Sequence, residues 1–190
     1  MATLIIGLAV FLGMHSISIV SPALRARAVA SMGPYGWRGV YSLVSLAGFA
    51  LIVYGFGLAR QDPIVLYVPP EWTRHLTFLL MLPVFPLLLA AYLPGRIATA
   101  MKHPMLAAVK FWAVAHLLSV GMLSDVLLFG AFLVWAVLDR LSFRHRPPQV
   151  MKRAPAGRFN DAIAVFVGLA LYVFFVLWAH LRLFGISPMG

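Results

Sequence analysis

The chain has no cysteine. That excludes disulfides, thiolate-bound metal, iron–sulfur clusters and covalently attached c-type haem, all of which need thiol sulfur. It also leaves the redox compartment unreadable from cysteine usage. Charge is scarce: 11% of residues carry one, with five acids against fifteen Lys and Arg. A soluble domain has about 25% charged residues, so no sizeable water-soluble domain fits here. No Walker or dinucleotide glycine run follows a strand pattern, and there is no internal repeat. The apolar runs hold no acidic residue near their middles, which argues against an ion-coupled transporter.

What remains is apolar. Of 190 residues, 63% are hydrophobic, and mean hydropathy is +0.95. A membrane-spanning helix needs about 20 apolar residues, so the length holds at most about six or seven spans with short loops. The runs are continuous rather than short and alternating, which disfavours a β-barrel. The reading is an all-α, polytopic transmembrane helix bundle of six spans, one transmembrane domain over residues 1–190. The spans are placed at Ala2 to Val20, Gly39 to Ala59, His75 to Leu93, Pro104 to Met122, Ser124 to Phe143 and Asp161 to Phe184. The N-terminus lacks a basic segment before its apolar run, so it reads as a first span and not a cleaved signal. Pro83 and Pro86 remove helical hydrogen bonds from the third span and predict a kink there.

The net charge of +10 suggests nucleic acid at first sight. In a chain this apolar it fits the basic bias of cytoplasmic loops better, so no nucleic-acid partner is expected. Arg25, Arg27 and Arg38 follow the first span without an acid. After the second, Arg60 and Arg74 are cancelled by Asp62 and Glu71. Arg96 and Lys102 follow the third, again without an acid. Only Asp125 lies between the fourth and fifth. Arg140, Arg144, Arg146, Lys152, Arg153 and Arg158 follow the fifth. Basic stretches therefore alternate, which supports six spans with both termini outside the cytoplasm. The basic cytoplasmic loop at 144–160, with Pro147, Pro148 and Pro155, is expected to be irregular. Its charge serves topology, with acidic lipid headgroups as the other reading.

Ionisable groups inside a span are costly and point to function. His15 lies about thirteen residues into the first span and His116 about twelve into the fourth, roughly 18–20 Å from their respective entry faces. In a core about 30 Å thick, these depths differ by several Å. Two imidazoles so placed can reach one flat cofactor from opposite sides. Their faces are mixed. Ala108, Ala113 and Ser119 share that of His116 with Val109 and Trp112. Gly7 and Ser18 share that of His15 with Leu8, Phe11 and Leu12. Such faces suit plain helix packing equally well, with each histidine hydrogen-bonded across the bundle. His103, His75 and His180 lie shallower and suit propionate partners, proton-transfer groups or wet interfacial histidines. His145, among arginines, reads as solvated.

These residues resemble the NnrU family of membrane proteins. The resemblance lies in Gly13-Met14-His15-Ser16, Pro22-Ala23-Leu24-Arg25 and Gly36-Trp37-Arg38-Gly39-Val40-Tyr41-Ser42-Leu43-Val44-Ser45. It continues through Pro94-Gly95, His103-Pro104, Lys110-Phe111-Trp112-Ala113-Val114-Ala115-His116-Leu117, Leu128-Phe129-Gly130 and Asp139-Arg140. It ends with the run from His180 to Pro188. It implies a link to nitrite and nitric oxide respiration in denitrifying bacteria, and hence a multi-pass protein of the bacterial inner membrane. The related plant 15-cis-zeta-carotene isomerase carries haem b in the same domain. Its ligand histidines, in matching elements, correspond to His15 and His116. Where the plant enzyme has a cysteine, three residues before the second histidine, this chain has Ala113, so a sulfur ligand is absent.

The resemblance thus implies a haem b protein with His15 and His116 as iron ligands, and His103, Arg25 and Arg38 as further cofactor-binding candidates. Its chemistry would be redox, or redox-gated cis–trans isomerisation. The implied partners are the lipid bilayer and either an apolar small-molecule substrate or a respiratory electron donor. The alternative is a cofactor-free accessory protein for a nitrite or nitric oxide reductase.

Overall fold

A computed structural model describes residues 1–146 and 153–189. These residues form helices with no strand among them: α1 (Ala2–Val20), α2 (Pro22–Ala59), α3 (Thr73–Met81), α4 (Val84–Ala90), α5 (Arg96–Met101), α6 (Pro104–Ser119), α7 (Leu123–Ser142), α8 (Asn160–Phe174), a π-helical turn (Phe175–Ala179) and α9 (His180–Phe184). They gather into two compact units. One comprises Met1–Pro69 with Val120–Arg146; the other comprises Pro70–Ser119 with residues 153–189.

In the first unit, α1 packs along α2 through glycines. A Cβ on Gly7 would lie 2.6 Å from the Ile52 nitrogen, and one on Gly48 would lie 2.8 Å from the Phe11 nitrogen. The missing side chains let the backbones approach closely, as in membrane helix pairs generally. Leu4, Leu8 and Ile52 form the core of this seam, with Leu127, Leu128, Ala131 and Phe132 of α7 packed on it. Ser21 starts α2, its hydroxyl accepting the Leu24 N–H at 3.3 Å, and Pro22 occupies the first turn. The helix breaks at Gly33 (φ 73°, ψ 166°) before Pro34. The left-handed φ suits glycine, and the proline cannot donate back across the break. The second span was expected from Gly39. The basic stretch before it is helical too, with Arg25 and Arg27 on the near side of that break and Arg38 beyond it.

In the second unit, Val84 and Leu87 pack on Ala107 and Ala108. The expected kink is present: Pro83 separates α3 from α4. Beside it, a Cβ on Gly168 of α8 would lie 2.7 Å from the Pro86 Cα. Helix α5, in the stretch after the third span, was not anticipated. It is capped from a distance by Asp161. Lys102, just after it, turns the chain into α6 at a φ of 59°.

Among the described residues, four helical stretches are long and apolar enough to cross a bilayer: Ala2–Val20, Pro22–Ala59, Thr73–Ala90 and Asn160–Phe184. Helix α6, at 16 residues, ends three residues earlier than expected. Residues 120–122 leave the helix because Gly121 accepts the Leu66 and Tyr67 N–H groups at 2.8 and 3.2 Å. Helix α7 has the length but carries Asp125, Asp139 and Arg140 near its ends. The outward faces are apolar: Leu46 is 64% exposed and Phe166 is 74% exposed. Exposed apolar surface on this scale fits lipid contact. The described parts of the expected loop are turns and a bend at 144–146 and an irregular stretch from 153 that ends in a turn at 158–159, with residue 160 already in α8. Pro147, Pro148 and Lys152 lie outside the described residues.

Candidate functional site

His15 stands on α1 beside three aromatic rings. Phe11, one turn earlier, stacks on it at 4.2 Å between centroids, Tyr41 of α2 lies at 5.2 Å, and Trp135 of α7 meets it edge-on at 6.0 Å. Its Nδ1 contacts the Phe11 carbonyl at 2.7 Å. A carbonyl can only accept, so Nδ1 carries the proton. The lone pair of the neutral ring is then on Nε2.

His116 repeats the arrangement on α6. Its Nδ1 contacts the Trp112 carbonyl at 2.8 Å, and the Trp112 ring lies 5.5 Å away. Beside it, Thr77 of α3 donates to the Ala115 carbonyl at 2.9 Å. His116 occupies the last turn of α6, nearer the helix end than the expected span implied. The two histidines belong to different units, His15 to the first and His116 to the second.

The other candidates are placed as follows. Arg25 and Arg38 flank the break in α2. Arg38 lies over the Tyr35 ring at 5.8 Å. His103 sits at the junction of α5 and α6, its N–H donating to the Met101 carbonyl and its carbonyl accepting the Ala107 N–H at 3.1 Å. His75 and His145 are exposed. His180 has a feature the sequence did not reveal. Its Nδ1 meets the Ile186 carbonyl at 2.8 Å, because Gly185 in the left-handed region folds the chain back over α9. Among the described residues, no group of three or more His, Cys, Asp or Glu side chains is arranged to hold a metal ion. A haem differs from such a centre in needing only one or two axial side chains.

The model of the NnrU protein family matches residues 3–188. This chain belongs to the NnrU family. The match spans nearly the whole sequence, both units included, so the family's domain is the entire helical assembly. No curated protein and no solved structure matches the chain. Within this NnrU chain, the aromatic surroundings of His15 were legible only in part. Phe11 lies four residues before it on one helix face, whereas Tyr41 and Trp135 arrive from helices whose packing no local pattern specifies.

Proposed function

We propose that this NnrU-family chain is a haem b protein of the bacterial inner membrane, serving nitrite and nitric oxide respiration, with His15 and His116 as the iron ligands. The observation that carries the reading is the matched anchoring of the two imidazoles. Each holds Nδ1–H on the carbonyl four residues earlier in its own helix. Ligating histidines are oriented in this way, the second nitrogen bonded to a backbone acceptor and the lone pair left for the metal. The aromatic rings around His15 form an apolar wall suited to a macrocycle edge. His103, Arg25 and Arg38 are the basic groups assigned to its propionates.

A haem held by two imidazoles supplies one-electron chemistry, or a gate that opens when one ligand leaves. The protein's part is to fix both tautomers, keep water from the Phe11, Tyr41 and Trp135 cluster, and admit an electron donor or an apolar substrate from the bilayer. A cofactor-free accessory role for a reductase is favoured instead by the bonding of each imidazole within its own helix, which serves plain helix packing as well. The absorption spectrum of the purified protein decides between the two readings. A low-spin haem b spectrum supports the first, and a preparation with neither a Soret band nor extractable haem overturns it.

The same reading takes six spans with both termini outside. Helix α7 spans about 30 Å and α6 about 24 Å at 1.5 Å per residue. The charges of α7 fall at its ends, Asp125 buried in its first turn and Asp139 paired with Arg146 near its last. A short span such as α6 is accommodated by local thinning of the bilayer.

A further inference from the structure

The second unit holds a cavity of about 400 Å³, lined by Arg74, His75, Phe78, Tyr172, Val176 and Met189. None of the proposed haem ligands lines it. Its structure follows from two local features. The Tyr172 hydroxyl donates to the Phe78 carbonyl at 3.1 Å, which ties α8 to α3 along one wall. Val176 lies within the π-helical turn, whose extra residue per turn shifts the side chains around the helix axis.

Among the described residues, no ion pair neutralises the charge in this cavity. Arg74 reaches a backbone carbonyl, that of Met189, at 3.4 Å. Arg146 and Asp139 form an ion pair elsewhere. Among the described residues, no acidic side chain lines the cavity. A guanidinium beside an imidazole, over apolar and aromatic walls, matches a ligand with an anionic head and an apolar body. The planar fork of arginine suits phosphate oxygens, which it binds through paired hydrogen bonds.

We propose that this cavity binds an anionic phospholipid, its phosphate on Arg74 and His75 and the upper part of its chain against Phe78 and Val176. Free phosphate shares the headgroup chemistry. It is small and strongly hydrated, so it would use the cationic rim and leave the apolar walls bare. The lipid covers both.

The test uses the full chain in nanodiscs of phosphatidylcholine with a minor fraction of phosphatidylglycerol. The lipid retained after mild detergent extraction is measured by mass spectrometry. The wild-type chain should retain phosphatidylglycerol above its share of the bilayer. Arg74→Gln should reduce that enrichment about tenfold, the size expected for one lost charge-assisted hydrogen bond. Val176→Trp, which fills the cavity without changing charge, should reduce it similarly. Arg27→Gln removes the same charge from an exposed site in the first unit and should leave enrichment unchanged. If Arg74→Gln does not fold, Arg74→Lys, with charge but no fork, should give an intermediate loss and take its place. Undiminished enrichment in both Val176→Trp and the Arg74 variant overturns the proposal. So does an equal loss in Arg27→Gln, which would mean bulk charge, or displacement of the lipid by millimolar inorganic phosphate, which would mean a free-anion site. The readout is lipid retention, so failure of the haem reading would leave this result standing, and the reverse also holds.

Discussion

The carboxylate of Asp161 accepts the backbone N–H groups of Arg96 and Ile97, at 2.8 and 3.0 Å. One side chain in the first turn of α8 thereby caps the first turn of α5, whose own preceding residue, Gly95, has no side chain to offer. Asn160 adds a bond from its Nδ2 to the Pro94 carbonyl at 2.8 Å and another to the Pro155 carbonyl at 3.1 Å. Negative charge is favourable at both helix starts, where N–H groups lack partners within the helix.

Asp161→Ala should therefore lower stability by about 1.5–3 kcal/mol, the range for a hydrogen bond to a charged group. Asp161→Asn, which keeps an oxygen acceptor, should lose less. Thermal unfolding in detergent measures both. Equal stability of wild type and Asp161→Ala would show that the cap contributes nothing. Gly95→Ala should act in the same direction, since its Cβ would strike the carboxylate of Asp161.

The seam between α1 and α2 should tolerate no side chain at its glycines. Gly7→Val places a branched group against the Ile52 nitrogen and the Leu51 carbonyl carbon, at 2.6 and 2.8 Å from the Cβ alone. Backbone cannot yield as a side-chain tip can, so the helices must separate. Loss of folded protein by size-exclusion chromatography is the expected result. Gly13→Val, on the same helix but with nothing within 4 Å of its Cβ, should be accepted. Comparable yields for the two variants would refute the packing argument.

His15→Ala and His116→Ala should each convert a low-spin haem spectrum to high-spin or abolish haem binding, because each leaves a coordination position open. His75→Ala, His145→Ala and His180→Ala should retain the low-spin bands. His103→Ala should lower occupancy at most, without a spin change in the haem that remains. His180 makes the comparison sharper, since its Nδ1 is anchored on a carbonyl as well. An unaltered low-spin spectrum in either His15→Ala or His116→Ala would remove that residue from the ligand pair.

The C-terminus should face away from the cytoplasm. A C-terminal alkaline phosphatase fusion should be active and a C-terminal green fluorescent protein fusion dark. Arg144→Ala with Arg146→Ala should weaken this orientation and leave any haem spectrum intact. A bright fluorescent fusion on the wild-type chain contradicts the six-span arrangement.

The sequence by itself determined the class of molecule and the positions of most helices. Low charge and long apolar runs leave the backbone no water to bond with, so helices are the economical solution in lipid. The first helix, at about Ala2 to Val20, was therefore legible, and Pro83 announced the break between α3 and α4 because a proline ring excludes the helical hydrogen bond. Tertiary structure decided what depends on contacts distant in sequence. Gly121 ends α6 early because its carbonyl accepts the Leu66 and Tyr67 N–H groups, and no pattern within α6 encodes those partners. Helix α5 forms where Asp161, 65 residues beyond Arg96, supplies its cap. The rings of Tyr41 and Trp135 meet His15 only after three helices pack. Uniformly apolar helices carry little information about which face meets which neighbour, since lipid and protein interior solvate the same side chains alike.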